Sequence, residues 1–401
     1  MTIKRGVDYA PVVGAFLFSN GNHTRAELSR LLWYNRSSDV DALWTPTCAS
    51  IEYKRTKVVR NKEIAMLHST RRTFLRAGLG ALASSPILSA LVAQGLFAKE
   101  PPRELIWGML LHLGRNMWGD TPRAYTPPVD KFSCEEDLWK LVTEKVAESG
   151  LNMIVIDLGE AILYKSHPEI ALPGAWTPEK LREDLARLRD LGLEPIPKLN
   201  FSACHDHWLG EYSRMVSTPT YYQVCADLIQ EVSALFDKPR FFHLGLDEET
   251  YNHQKTYDYV VVRQNELWKH DFLFYVEQCE KSGVRPWIWA DYAWSHPDFI
   301  EWAPKNVVMS NWYYDMEFNP EECRYVQTYF DYDKAGFDQI PAGSNWANEG
   351  NFEALVEYCK ANLNHDRLLG FLQTSWSFPE KKGYKHNLQA IERAKAAKDK
   401  Y

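Results

Sequence analysis

The sequence predicts a (β/α)8 TIM barrel, and three observations carry this prediction. From Leu105 onward, short apolar runs alternate with longer amphipathic runs, which is the pattern of strands that alternate with helices. Eight strand candidates occur, each followed by a helix candidate, and this count matches the barrel. The chain contains no Gly-x-Gly-x-x-Gly or P-loop motif, so we expect neither a doubly wound nucleotide-binding sheet nor a cofactor.

The strand candidates are short and mostly lack clean polar–apolar alternation, as is typical of parallel strands buried on both faces. They are Leu105–Leu113, Met153–Leu158, Leu193–Leu199, Arg240–Leu246, Val284–Ala290, Asn306–Trp312, Gln339–Ser344 and Leu368–Ser375. The helix candidates are Glu135–Ser149, Pro178–Leu191, Thr220–Phe236, Tyr259–Ser282, a short one around His296–Trp302, Pro320–Lys334, Phe352–Leu363 and Lys385–Ala397.

Start and stop signals support several of these helices. Ser133 is predicted to cap the first helix ahead of two acids, and Thr177-Pro178 puts a proline in the first turn of the second. Three glycines stand where a left-handed residue ends a helix; they are Gly150, Gly192 and Gly283.

Composition excludes several classes of protein. Of the 401 residues, 45% are hydrophobic and 25% charged, so neither a disordered tail nor a fibrous repeat fits. Residues 99–401 hold 33 Lys and Arg against 47 Asp and Glu, a balance that would repel nucleic acid. None of the seven cysteines forms a Cys-x-x-Cys pair, which disfavours a zinc ribbon.

The segment 66–98 resembles a bacterial twin-arginine export signal, because Arg71-Arg72 precedes an uncharged stretch from Ala77 to Ala98. Glycines, serines and a proline make that stretch weakly apolar for a transmembrane anchor, which is the alternative. We therefore expect the twin-arginine machinery to export the protein to the periplasm or beyond. Residues 1–65 precede a normal-looking start at Met66, and we interpret them as the product of an upstream start codon. The catalytic barrel is then 99–401.

Barrel enzymes place their chemistry at the carboxyl ends of the strands, and here those ends are rich in aromatic and polar residues. Indoles bind the apolar faces of sugar rings, while carboxylates, amides and guanidinium groups bind the hydroxyls. This rim therefore predicts a carbohydrate cleft. The candidate substrate-binding residues are Arg115, His205, Trp289, Asp291, Trp312, Tyr313, Asp315, Trp346 and Trp376.

The sharpest motif closes the fourth strand, where residues 243–248 read His-x-Gly-x-Asp-Glu. It resembles the signature of glycoside hydrolase family 20, the β-N-acetylhexosaminidases, and is similar to the Asp-Glu pair of family 123. The resemblance implies that Glu248 is the general acid on the glycosidic oxygen. It also implies that Asp247 holds the substrate's own 2-acetamido group, whose carbonyl oxygen is the nucleophile.

This allocation is physically sensible. Neighbours on one strand point to opposite faces unless the strand end twists, so Asp247 and Glu248 can reach one ligand only by gripping it at different points. A general acid needs a pKa near neutrality. We expect the tryptophan walls and the Asp247 charge to raise the pKa of Glu248.

Further residues match the family motifs one by one. Tyr313-x-Asp315 looks like the family's Tyr-x-Asp, which implies that Tyr313 donates to the acetamido oxygen and Asp315 binds a hydroxyl; strand alternation makes Tyr314 the less expected donor. Trp289 with Asp291 resembles the Trp-x-Asp/Glu after the fifth strand, and Trp376 resembles the indole that floors the site. Arg115 is proposed to grip sugar hydroxyls because of its place after the first strand.

A metal is not expected. His205-Asp206-His207 has a spacing that can bind one, but no third ligand is indicated, so sugar contacts are preferred for His205.

The resemblance leaves alternatives open. Family 20 enzymes commonly carry an α/β domain ahead of the barrel, whereas about six residues separate Ala98 from the first strand here; this favours a barrel-only relative nearer to family 123. The sequence predicts an exo-acting, retaining β-N-acetylhexosaminidase. It does not decide whether the sugar is GlcNAc or GalNAc, which linkage is cleaved, or what the oligomeric state is. One rival uses two separated carboxylates, Glu248 with Asp157 or Asp291, on sugars without an acetamido group. The other is a non-catalytic periplasmic glycan-binding barrel.

Overall fold

The computed structural model describes residues 104–118 and 127–401. The predicted extension 1–65 and export segment 66–98 therefore lie outside the described residues. The described part contains eight strands: β1 (Ile106–His112), β2 (Met153–Asp157), β3 (Glu194–Lys198), β4 (Phe241–His243), β5 (Arg285–Trp289), β6 (Val308–Ser310), β7 (Ala342–Ser344) and β8 (Gly370–Thr374).

Helices connect the strands, and most lie where the sequence predicted them. They are α1 (Glu136–Glu148), α2 (Pro178–Asp190), α3 (Pro219–Leu235), α4 (Tyr251–Gln254), α5 (Asn265–Ser282), α6 (Tyr292–Ser295), α7 (Phe299–Trp302), α8 (Arg324–Lys334), α9 (Asn351–Asn362) and α10 (Tyr384–Lys400). Within the described residues, no helix combines the length and apolar character needed to cross a membrane.

The strands form one parallel sheet in the order β6-β5-β4-β3-β2-β1-β8-β7. Two isolated parallel bridges, Met309 with Gln339 and Trp312 with Ala342, join its two edges. The sheet therefore closes on itself with helices outside, and the predicted (β/α)8 barrel is confirmed.

The strands are apolar throughout because both of their faces are buried. Every residue of β1 is buried. Its alternate side chains, such as Leu110 and Leu111, belong to two separate cores. The smaller core fills the barrel, and the larger one lies between strands and helices. This layering turns every second residue of a strand end toward the mouth of the barrel.

The predicted boundaries are partly right. Thr177 caps α2, since its Oγ1 accepts the Lys180 N–H at 3.2 Å. The Ser133 cap is wrong: α1 begins at Glu136 with Glu135 at the cap position and no side-chain cap bond, so Ser133 lies outside the first turn. The predicted start of α5 at Tyr259 is also wrong, because the Val261 amide donates to the Gln254 side chain and the Arg263 amide to the Glu249 side chain instead of to helix carbonyls.

Candidate active site

A strained turn follows β4 and carries the two acids. Gly245, Leu246 and Glu248 all have positive φ angles, of 71°, 73° and 56°. The Glu248 N–H donates to Asp291 Oδ2 at 2.9 Å, and the Leu246 N–H donates to Asn200 Oδ1 at 3.2 Å. Strained backbone of this kind persists only where its surroundings hold it, and it is concentrated at functional sites. The turn overrides the strand alternation that would point neighbouring side chains apart.

As a result, both acids face the same imidazole. His205 Nε2 lies 3.4 Å from Asp247 Oδ2 and 3.3 Å from Glu248 Oε2. His205 and Asp247 are buried, whereas Glu248 is half-buried. Asn200 fixes the other oxygen of Asp247, with Nδ2 donating to Oδ1 at 2.8 Å. The structure thus brings together the two predicted catalytic residues and His205.

The pKa of Glu248 is lowered, and the prediction that it is raised is wrong. Burial alone would raise this pKa, but hydrogen bonds from His205 and His253, and the charges of both rings, outweigh it. His253 Nε2 lies 2.9 Å from Glu248 Oε1. In return, the pKa of His205 is raised: burial lowers it, but Asp247 and Glu248 more than compensate. Both shifts favour the ion pair of His205 with Glu248 over the neutral pair.

A third carboxyl group lies beneath the pair. Asp291 accepts the Glu248 N–H with one oxygen, and the other lies 3.3 Å from the donating Trp312 Nε1. Burial and the charge of Asp247 raise the pKa of Asp291 to about 7. The structure thus engages Asp291, predicted to bind sugar, with two donors of the protein, which makes it a support for the catalytic turn.

Indole rings form a wall beside the acids. The rings of Trp289 and Trp376 lie 5.8 Å apart. Trp376 Nε1 donates to the Tyr314 hydroxyl at 3.1 Å, and Trp312 stacks on the Tyr314 ring at 5.1 Å. Three of the predicted tryptophans therefore meet in one cluster at the barrel mouth.

The structure corrects the choice of tyrosine after β6. Trp312 and Tyr314 belong to the core inside the barrel, whereas Tyr313 packs in the outer layer against Phe318. The Tyr313 hydroxyl donates to the Glu317 carbonyl at 3.1 Å. Burial raises the pKa of Tyr314, and the charges of both catalytic candidates add to this shift. Alternation continues past the strand end, so it selects Tyr314 together with Trp312 and excludes Tyr313.

Three other residues were predicted to bind the sugar, but the contacts of the described residues do not join them to this cluster. Asp315 is half-buried, and its Oδ1 accepts the adjacent Met316 N–H at 2.9 Å. The Trp346 ring is 39% exposed. Arg115 Nη1 lies 2.5 Å from Glu380 Oε2, and its guanidinium stands 4.5 Å from the centre of the Phe378 ring. Their sugar contacts stay predictions.

A buried ion pair occupies the ends of β2 and β3. Lys198 Nζ donates to Asp157 Oδ2 at 2.5 Å, and His112 Nδ1 lies 3.2 Å from the same oxygen. Burial alone would raise the Asp157 pKa, but Lys198 and His112 lower it to about 2. Asp157 is therefore an ionised partner of Lys198, which weakens its case as the second carboxylate of a two-carboxylate mechanism.

The cluster of His205 with the two acids is also a candidate metal site. Donor atoms of His205, Asp247 and Glu248 lie within 4.8 Å of one another. The sequence argument missed this triad because its third ligand comes from a different strand end. His205 Nε2 also lies within 3.4 Å of a carboxylate oxygen of each acid.

Sequence reasoning missed several residues of the site. Asn200 follows the third strand, so its position could have identified it as the partner of Asp247. Tyr314 could have been identified by strand alternation, because it lies two residues after Trp312 and therefore on the same face of the strand. His253 lies on the four-residue helix α4, and no sequence pattern places its ring on Glu248.

Of the comparisons with known proteins, the one with solved structures bears on the fold. No family model matches the chain, and no curated protein matches it. The barrel is similar to solved structures, among them a chitobiase of Flavobacterium johnsoniae (TM-score 0.53, 18% identity, 74% of this chain and 48% of that one). A β-N-acetylhexosaminidase of Bacteroides fragilis gives a TM-score of 0.51 at 14% identity, over 72% of this chain and 65% of that one.

An inactive variant of a family 20 exo-β-N-acetylglucosaminidase from Vibrio harveyi gives a TM-score of 0.50 at 16% identity, over 73% of this chain and 54% of that one. The chain therefore spans about half to two thirds of the length of these structures. At such identities the likeness shows the fold, a barrel like those of family 20. The expectation of a chain nearer to family 123 receives no support from these structures.

Proposed function

We propose that this chain is an exo-acting glycoside hydrolase that removes a β-linked N-acetylhexosamine with retention, using the substrate's own acetamido group. The observation that carries the proposal is the convergence of Asp247 and Glu248 on His205, beside the indole wall at the end of β4. The family 20-like barrel and the motif at residues 243–248 support it.

Asp247 and Tyr314 are the proposed grip on the acetamido group. Asp247 accepts the amide N–H, and its orientation is set by Asn200 Nδ2 at 2.8 Å. Tyr314 accepts a hydrogen bond from Trp376 Nε1, so its own hydroxyl proton can be donated to the acetamido carbonyl. That carbonyl oxygen then attacks the anomeric carbon. Tyr314 holds the oxygen in line for the attack, and the Asp247 carboxylate stabilises the positive charge that develops on the amide.

The Glu248–His205 pair supplies the proton. As the acetamido oxygen bonds to the anomeric carbon, the glycosidic bond breaks and its electrons leave with the oxygen, which takes a proton from Glu248. His205, 3.3 Å away, passes its proton to Glu248 in the same step. Water then attacks the anomeric carbon, Glu248 takes the water proton, and the acetamido oxygen leaves. Two inversions give net retention, and the proton is restored.

The two-carboxylate alternative is less well supported. A nucleophilic carboxylate must be free to attack the sugar, but Asp157 is paired with Lys198 and Asp291 accepts two donors of the protein. The acetamido mechanism needs no such residue, so it fits the described contacts better.

The test is turnover of paired 4-nitrophenyl β-glycosides of GlcNAc, GalNAc and glucose. We expect cleavage of one or both acetamido sugars, little cleavage of the glucoside, and tight inhibition by a thiazoline mimic of the cyclised acetamido group. Glu248→Gln and Asp247→Asn should each lower kcat by several orders of magnitude, roughly the scale seen for catalytic groups, while Glu266→Gln on the exposed start of α5 serves as control.

Unchanged kcat in either variant would reject the assignment. Cleavage of the glucoside without thiazoline inhibition would favour two separated carboxylates. Thermal stabilisation by amino sugars without turnover would favour the glycan-binding barrel.

We further propose that the chain is exported through the twin-arginine machinery, on the basis of Arg71-Arg72 and the uncharged stretch after them. N-terminal sequencing of protein from a native periplasmic fraction should give a start after residue 90. A peptide from residues 1–60 in that material would contradict both the export signal and the upstream-start interpretation.

A further inference from the structure

A buried ionic network lies behind the catalytic turn, and the proposed mechanism does not use it. Arg263 and Glu249 pair at 2.6 Å with side chains 2% and 4% exposed. The Glu249 carboxylate accepts four N–H groups. Three come from Arg263, namely its backbone N–H, Nε and Nη2, and the fourth is the Ala203 N–H at 3.0 Å. An ion pair this deeply buried is costly unless it is fully hydrogen-bonded, as this one is.

The Arg263 guanidinium joins three separate segments of the barrel rim. Nη2 donates to the Phe201 carbonyl at 2.8 Å in the loop after β3. Nη1 donates to Asp271 Oδ2 at 3.1 Å and to the Tyr275 hydroxyl at 3.0 Å on α5. Its bonds to Glu249 reach the loop after β4. The planar fork of an arginine suits such multiple bonding.

The two loops joined in this way carry the reacting groups. The loop after β3 holds His205, and the loop after β4 holds Asp247 and Glu248. A second bond between them runs from Ser202 Oγ to the Asp247 carbonyl at 2.6 Å. Glu248 has a φ of 56°, a strained conformation for a non-glycine residue that must be held by its surroundings.

We propose that Arg263 is a positioning residue that, through Glu249, holds Glu248 in its left-handed conformation, with its carboxylate at His205 and toward the leaving glycosidic oxygen. This inference rests on the proposed function and adds a residue to it. Removing the guanidinium would release the turn, so Glu248 would deliver its proton poorly while the acetamido grip of Asp247 and Tyr314 stayed in place.

The kinetic test compares substrates whose leaving groups differ in their need for a proton. In Arg263→Met, kcat/KM for a 4-methoxyphenyl β-N-acetylhexosaminide, which reports the first bond cleavage alone, should fall about 100-fold, the scale of lost general acid catalysis. The 2,4-dinitrophenyl glycoside, whose leaving group departs unprotonated, should lose far less. Arg263→Lys keeps the charge but not the fork, so it should give an intermediate ratio even if Arg263→Met folds poorly.

Arg187→Met is the matched control. Arg187 pairs with Asp184 at 2.9 Å within α2 and donates to Thr143 Oγ1 of α1 at 2.9 Å, away from the catalytic loops. Its loss should lower thermal stability and leave the ratio of the two rates unchanged. Equal losses on both substrates in the Arg263 variants would show a purely structural role and overturn the inference.

A second measurement needs no turnover. In 13C-histidine-labelled protein, with His205→Asn used for assignment, the His205 ring should titrate above an ordinary histidine, because its burial and the charge of Lys198 are outweighed by Asp247 and Glu248, which face it. Arg263→Met should lower that titration midpoint, and Arg187→Met should not. If the wild type cleaves no glycoside, the proposed function fails and this titration alone decides the positioning role. An unchanged midpoint would overturn it.

Discussion

At the scale of single residues, the acetamido grip depends on which of two adjacent tyrosines faces the inside of the barrel. Tyr314 accepts a bond from Trp376 inside the barrel, whereas Tyr313 packs outside. Tyr314→Phe should lower kcat about 100-fold, because the nucleophilic acetamido oxygen would no longer be held in line, and misplacing a reacting group has that scale. Tyr313→Phe removes the same atom from the outer layer and should leave kcat unchanged. Steady-state kinetics decides, and the reverse ranking would show that Tyr313 is the donor.

The carboxyl group of Asp291 should make stability depend on pH. Its pKa is 3.8 without perturbation and about 7 in the folded protein, so the folded state binds a proton that the unfolded state releases in this range. The stabilisation is fully present below about pH 4 and is lost as pH rises through about 7.

Urea unfolding of wild type and Asp291→Asn tests this sign. The stability of the wild type relative to the variant should decrease steadily from about pH 4 to about pH 7. A difference that is flat, or that rises with pH, would contradict a protonated Asp291 in the folded site.

At the scale of elements, the turn after β4 is possible only with glycine at position 245. Gly245 has a φ of 71°, and a Cβ at this position would lie 2.0 Å from Asn200 Oδ1. Asn200 is the residue that orients Asp247. Gly245→Ala should therefore cost backbone strain of about 1–2 kcal/mol plus a steric penalty of about 1–3 kcal/mol, and it should reduce activity.

Gly192→Ala provides the matched control for that prediction. Gly192 also has a positive φ, of 82°, but nothing lies within 4 Å of the position of its Cβ. This variant should lose only the backbone contribution and keep full activity. Equal losses of unfolding free energy in the two variants would show that the contact with Asn200 is unimportant.

At the scale of the whole molecule, the barrel is strongest around β1 and weakest where it closes. β1 pairs through five residues with each of β2 and β8, whereas only isolated bridges join β6 to β7 among the described residues. Amides in β1 should therefore exchange with deuterium mainly through global unfolding, and those at the β6–β7 closure through local opening. Hydrogen-exchange mass spectrometry resolves the two regions, and uniform protection would argue against a weak closure.

The sequence by itself determined the strands, their order and the strand end that carries the acids. These features follow from local periodicity, since strands buried on both faces are apolar wherever they lie and a barrel places chemistry at one rim. The motif at residues 243–248 therefore located the candidate site before any contact was known, and α2 was delimited by Thr177 and Gly192 alone.

Only the tertiary structure decided the chemistry of that site. The pKa of Glu248 is lowered instead of raised because two imidazoles from different loops reach its two oxygens. The hydrogen bonds from Arg263 to Glu249 and to the Phe201 carbonyl likewise join residues of separate loops. Electrostatic shifts and ion pairs depend on distances of a few ångströms between segments far apart in the chain, and hydrophobic periodicity contains no information about those distances.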